Sequence, residues 1–194
     1  MPIVTALRRA RGRHILVEVD GKPWRTFTES VVAAAGLARG LELDRPRLAT
    51  LARERRRADA LAVATRALRH RDLSGARLAE RLERAGVRDS EREAALERLG
   101  RAGLVDDQRF AVRRAEALAS RGLGDAGIRH ALARERLNAE QIEAAVEALA
   151  PEHERAERIA ERRGRTPATG RYLARRGFGE DAIETAVRSF AERD

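Results

Sequence analysis

Arginine is the side chain whose placement in this sequence offers chemistry. Arg77, Arg81 and Arg84 recur at i, i+4 and i+7, the spacing that lines guanidinium groups along one helix face. Arg171, Arg175 and Arg176 repeat that density near the C-terminal end, and Arg129 falls between the two groups. Arg71 and Arg121 stand in junctions between helical stretches. A guanidinium is planar and permanently charged, and its fork of donors matches a carboxylate or a phosphate. These nine arginines are therefore candidates for gripping acidic side chains of a protein partner, or the phosphates of a nucleic acid. Glu80 and Glu83 lie close enough to neutralise part of the first stripe.

Bond-making chemistry finds no such anchor. The sequence has no G-x-x-x-x-G-K-[ST] phosphate loop, no H-E-x-x-H zinc motif and no G-x-S-x-G nucleophile elbow. It has no cysteine, which removes disulfides, thiolate metal ligands and a thiol nucleophile. His14, His70, His130 and His153 are far apart. Asp106-Asp107 reads as a helix start, where one carboxylate caps the backbone and both favour the dipole. Gly122 and Gly124 follow a helix rather than a strand, so they read as a helix break with positive φ at Gly122. No catalytic residue, cofactor or metal is expected, and an enzyme is disfavoured.

The arginines belong to a chain of 194 residues that is 37% charged, 43% hydrophobic and 3% aromatic, with Lys22 its sole lysine. Alanine and leucine dominate the apolar fraction, which suits close-packed helices. The formal net charge is +9, and residues 1–60 alone carry 13 basic and 7 acidic side chains. Residues 106–150 carry 7 and 8, residues 151–194 carry 10 and 9. The N-terminal half thus holds the field that attracts polyanions or acidic proteins. No stretch approaches the roughly 20 apolar residues of a membrane span, and no apolar segment follows Met1. The expected location is the cytoplasm, without membrane attachment.

Only the first 30 residues read as strand. His14 to Val19 is β-rich, Asp20-Gly21 is a type I′ hairpin signal, Lys22 to Thr28 supplies the return, and Ile3 to Leu7 a third strand. Trp24 and Phe27 are expected in the core of this small module. Thr28 or Ser30 caps a short helix over Val31 to Leu37, and Pro46 fits the first turn of a helix reaching Leu68.

Beyond residue 60 the chain is helical and repeats. Leu78, Leu82, Val87, Leu96 and Leu99 map, 50 positions on, to Ile128, Leu132, Leu137, Val146 and Leu149. A further 41 positions give Thr169, Leu173, Phe178, Val187 and Phe190. Thr169 is the one polar member. Each copy reads as three short helices, with Ser74 and Asn138 as caps, Gly86 and Gly177 as stops, and Pro167 in a first turn. Such helices are not stable alone and must share apolar faces. The expected fold is mainly α: an N-terminal hairpin and helix module over 1–58, then three-helix repeats over 59–104, 105–150 and 151–194. The array is expected to be elongated and curved.

The junctions of these units resemble the RecX family of bacterial recombinase regulators. The carrying segments are Ala67 to Ser74 with Leu78-Ala79-Glu80-Arg81-Leu82 and Gly86, then Leu104 to Ala111 with Arg121-Gly122-Leu123-Gly124 and Ile128-Arg129. In the third unit they are Tyr172 to Phe178. The resemblance covers about residues 60–190. It implies a non-catalytic, monomeric regulator that binds the RecA recombinase or its filament on single-stranded DNA, restraining filament growth, ATP hydrolysis and strand exchange. In that reading Arg71, Arg77, Arg81, Arg84, Arg121, Arg129, Arg171, Arg175 and Arg176 contact RecA or DNA phosphates. The alternative is a helical protein acting on DNA directly, since a turn before the last helix of a three-helix unit resembles helix-turn-helix geometry. The near-neutral later units weigh against it.

Overall fold

Asp20 and Gly21 both take positive φ, 49° and 77°, as a type I′ turn requires. In this computed structural model, which describes residues 1–188, they join β2 (His14–Val19) to β3 (Lys22–Thr28). The turn is held from outside: the Asp20 carboxylate accepts from the Ile3 amide at 2.9 Å, and the Thr5 hydroxyl accepts from the Gly21 amide at 3.0 Å. These bonds align β1 (Val4–Arg9) against β2, giving an antiparallel sheet in the order β1, β2, β3.

One face of that sheet is apolar because Val4, Val17 and Phe27 point the same way. With Val31, Val32, Leu37, Leu43 and Leu51 they form a buried core. Thr28 caps α1 (Glu29–Ala34) through its hydroxyl, so α1 starts two residues before Val31. Asp44, whose carboxylate accepts from the Arg47 amide at 2.8 Å, caps α2 (Arg45–His70), and Pro46 lies in its first turn. The polar middle of this 26-residue helix is solvated along one side, while Leu51, Ala60, Ala64 and Ala67 are buried along the other.

Trp24 departs from the core position expected for it. Phe27 is 6% exposed but Trp24 is 37% exposed. Val17 pairs with Arg25 and Glu18 with Pro23, so Trp24 is the unpaired extra residue of a β-bulge in β3. The bulge sets its ring 5.8 Å from that of Phe27, at the rim of this core and not inside it.

The remaining helices are α3 (Gly75–Arg84), α4 (Asp89–Arg101), α5 (Asp107–Ser120), α6 (Asp125–Ala133), α7 (Ala139–Glu147), α8 (Glu152–Arg163), α9 (Pro167–Arg175) and α10 (Glu180–Arg188). Helices α3, α5, α7 and α9 start at short polar side chains that cap. Ser74 accepts from the Arg77 amide and Asp106 from the Arg109 amide, while Asn138 and Gln141 form a capping box and Thr166 caps α9. The repeated positions are buried or half-buried throughout the described residues, and Phe190 lies outside them. Thr169 is buried without penalty because its hydroxyl donates to the Gly164 carbonyl at 2.7 Å. Helices α5, α6 and α7 share one core around Ala115, Ile128, Leu132 and Val146. Helices α8, α9 and α10 share another around Ala160, Leu173, Phe178 and Ala186.

By compactness the chain forms two units, residues 1–71 with 79–99, and residues 72–78 with 100–194. Within the second unit the same joint is built twice. The amide that opens α3, of Gly75, donates to the Asp107 carboxylate at 2.7 Å; its counterpart 50 positions on, of Asp125, donates to the Glu152 carboxylate at 2.6 Å. The Ser74 hydroxyl donates to the Glu135 carbonyl at 2.7 Å, and the Gly124 amide donates to the Arg176 carbonyl at 3.0 Å. Ser74 and Gly124 are 50 apart, Glu135 and Arg176 are 41 apart: the offsets of the apolar pattern reappear in the polar contacts that join successive stretches. Asp106 caps α5 and Asp107 caps α3, so the acidic pair is structural.

Candidate functional site

The nine candidate arginines separate by what their guanidinium groups already touch. Arg77 is half-buried, with Nε donating to Glu135 at 3.3 Å and Nη2 to the Arg134 carbonyl. Arg176 donates Nε to the Gly122 carbonyl at 3.1 Å and Nη2 to the Arg121 carbonyl, and it lies 5.7 Å from the centre of the Tyr172 ring. Both are committed to the joints, satisfying carbonyls that helix ends leave open. Arg129 meets Glu143 through Nε and Nη2 at 2.9 Å to 3.0 Å. This fork-on-carboxylate pairing holds the Arg129 pKa above, and the Glu143 pKa below, its ordinary value.

The other candidates face solvent. Arg84 is 74% exposed and reaches Glu80 at 3.5 Å, a pairing of small energetic consequence at such exposure. Arg71, Arg81, Arg121, Arg171 and Arg175 are exposed and form no ion pair among the described residues. Arg81 and Arg84 follow one another along α3. In the second unit Arg171 and Arg175 lie one turn apart on α9, and the Arg121 backbone is held beside the end of that helix by Arg176. Arg163, at the end of α8, lies over the Tyr172 ring at 4.1 Å. A cationic surface thus gathers around the C-terminal half of α9, where cations also complement the helix dipole. Arg163 escaped the sequence reading because its place beside α9 is set by tertiary packing, not by its spacing along the chain.

A second arginine missed by sequence reasoning is internal. Arg155 is 7% exposed, its Nε donating to the Ala150 carbonyl at 2.9 Å, Nη1 to the Leu123 carbonyl at 3.0 Å and Nη2 to the Asp125 carboxylate. It ties the start of α6 to the start of α8. In the first unit Arg56 plays a like role, donating to the buried Glu91 carboxylate at 2.8 Å. That bond, with help from Ser90, holds the Glu91 pKa below its ordinary value against the opposing effect of burial.

The molecule is thus a mainly helical protein with a small antiparallel sheet and exposed arginine clusters. No three histidine, aspartate or glutamate side chains converge as a metal site among the described residues. None of the described helices is long and apolar enough to cross a membrane. No protein-family model matches the chain. Over 150 residues, 72% of each chain, it is 37% identical to the regulatory protein RecX of Deinococcus radiodurans. The chain belongs to the RecX family of regulatory proteins. A crystal structure of a regulatory protein RecX shares its fold, with a TM-score of 0.83 over 97% of this chain and 100% of the other at 20% identity. The crystal structure of RecX from Lactobacillus salivarius has a TM-score of 0.61, covering 69% of this chain and 96% of its own, at 16% identity.

Proposed function

We propose that this regulator acts by binding the RecA recombinase, as free protein or as a filament on single-stranded DNA, and restrains filament growth, ATP hydrolysis and strand exchange. It does so as a cytoplasmic monomer, without catalysis. The observation that carries the reading is the set of arginines left exposed and without ion pairs among the described residues of a RecX-family chain: Arg71, Arg81, Arg121, Arg171 and Arg175. Arginine spread over several helices suits a repeating acidic or phosphate-bearing target, because many weak contacts act together when the target repeats. Arg77, Arg129 and Arg176 serve this surface indirectly, by holding the helices that present it.

The test is single-stranded-DNA-dependent ATP hydrolysis by RecA with increasing amounts of this protein. Suppression below one regulator per RecA supports the reading. Suppression should be lost when Arg121, Arg171 and Arg175 are changed together to glutamate. An unchanged rate at excess regulator refutes it, and tight, sequence-selective binding to DNA alone would favour direct action on DNA.

A further inference from the structure

We infer that the groove between β3 and α2 is a docking site for an extended acidic peptide segment carrying a bulky apolar side chain. The inference does not rest on the recombinase reading, and uses a different surface. Two adjoining cavities of about 440 Å³ each share Arg25, Phe27, Arg55 and Asp59 as walls, a volume in the range of ligand-binding clefts. The buried Phe27 and Leu51 form the floor of one, and Trp24 and Leu48, each 37% exposed, stand at its rim. The Trp24 ring lies 5.8 Å from that of Phe27 and stays part-exposed. In a chain so poor in aromatic residues, a rim tryptophan beside an exposed leucine is an apolar anchor site.

The occupant follows from what else lines the groove. Consecutive β3 residues from Trp24 to Thr28 border it. Beyond the bulge, Arg25, Thr26, Phe27 and Thr28 alternate in the side they face and all border the second cavity, so the groove there follows the edge of the strand. β3 pairs only with β2 among the described residues, leaving backbone donors and acceptors along that edge. An extended peptide can add there as a further strand, whereas a nucleic acid has no backbone groups at matching intervals. Arg25 is exposed, lies 5.8 Å from the Trp24 ring centre and has no ion pair among the described residues. Arg55 is held only loosely by Asp59, at 3.8 Å with both side chains largely exposed. The segment's carboxylates would face these two cations, while Asp59 repels a continuous run of phosphates.

Trp24 is the sole tryptophan of the chain, so its fluorescence reports this groove alone. The probe is a capped seven-residue peptide alternating glutamate and leucine, matched to the length of β3. Its counterpart with lysine for glutamate and a short oligothymidylate serve as comparisons. The acidic peptide should change Trp24 emission saturably, and the double variant Arg25→Glu with Arg55→Glu should weaken binding at least about tenfold. Leu48→Asp, an exposed change, should weaken it as well. No response to the acidic peptide, an equal response to the lysine peptide, or oligothymidylate binding lost in the same double variant would each overturn the inference.

Discussion

Replacing Gly124 by alanine would place a methyl carbon 2.3 Å from the Phe178 amide nitrogen and 2.4 Å from the Gly177 carbonyl carbon and oxygen. These are backbone atoms at the turn between α9 and α10, where Gly177 has φ of 79°, and no rotamer change moves them aside. Relief requires the start of α6 to retreat from that turn by more than 1 Å on the scale of ordinary carbon contacts of about 3.5 Å. Retreat breaks two backbone hydrogen bonds, Gly124 to the Arg176 carbonyl at 3.0 Å and Ala126 to the Gly177 carbonyl at 3.1 Å. Overpacking of roughly 1–3 kcal/mol together with two half-satisfied backbone bonds gives a loss of about 3–5 kcal/mol. That is a large share of the ~5–15 kcal/mol that holds a typical domain folded. Gly100, near the end of α4, is the contrasting site: a methyl there meets nothing closer than the Val105 carbonyl at 4.0 Å. The same change at Gly100 should stabilise by roughly 0.5–1 kcal/mol by removing chain entropy from the unfolded state. Urea denaturation followed by far-ultraviolet circular dichroism measures both, with hydrogen exchange at the Ala126 amide as a local probe. A loss below about 1 kcal/mol for Gly124→Ala, with Ala126 still protected, would refute the reasoning about the joint.

The other expectations concern charge. Arg155→Met leaves the Asp125 carboxylate without its buried partner and should cost about 3–5 kcal/mol in the same denaturation assay. Arg155→Lys should recover little, since one ammonium cannot serve three acceptors set in a fork. Glu91→Gln should cost about 1–2 kcal/mol near neutral pH, the Arg56 side of the bond being part-exposed. Because the folded-state pKa of Glu91 is depressed, its contribution is fully present above the unfolded value of about 4.3. It is lost as pH falls through the folded value, so the gap between wild type and Glu91→Gln should close on acidification. A gap that widens would contradict the assigned direction. Alanine at Arg71, Arg81, Arg121, Arg171 or Arg175 should change stability by no more than ~0.5 kcal/mol, while alanine at Arg77 or Arg176 should cost about 1–3 kcal/mol. Thermal melts of the seven variants check that partition.

Much of this fold is written in local sequence. Asp20-Gly21 admits few turns besides the one it makes, and Ser74, Asp106, Asn138 and Pro167 start helices by rules that need only their neighbours. The offsets of 50 and 41 are legible because apolar residues keep the same place in each copy, Thr169 excepted. What stayed hidden depends on contacts distant in sequence. Arg77 and Arg176 share the spacing of the exposed arginines and Arg129 follows no such spacing, but carbonyls and carboxylates distant in sequence capture all three. Arg155 hides among the mixed charges of α8, and only the joint between α6 and α8 makes it buried. Trp24 reaches only the rim of the core because it is the extra residue of a bulge beside Phe27, and strand alternation does not announce a bulge. Asp44, standing directly before Arg45-Pro46, is a cap legible from the sequence by the same rule as Ser74 and Asn138.

The central proposal is that the exposed arginines without ion pairs among the described residues of this RecX-family chain grip the recombinase filament, while those engaged by the chain's own carbonyls and carboxylates only hold the scaffold. Electron microscopy of RecA filaments on single-stranded DNA, with wild-type protein or the Arg121, Arg171 and Arg175 triple glutamate variant added below one copy per RecA, tests it most directly. The account predicts shortened or sparser filaments with the wild type and filaments of undisturbed length with an equally folded variant. Filaments unaffected by wild-type protein, or shortened equally by both, would contradict it.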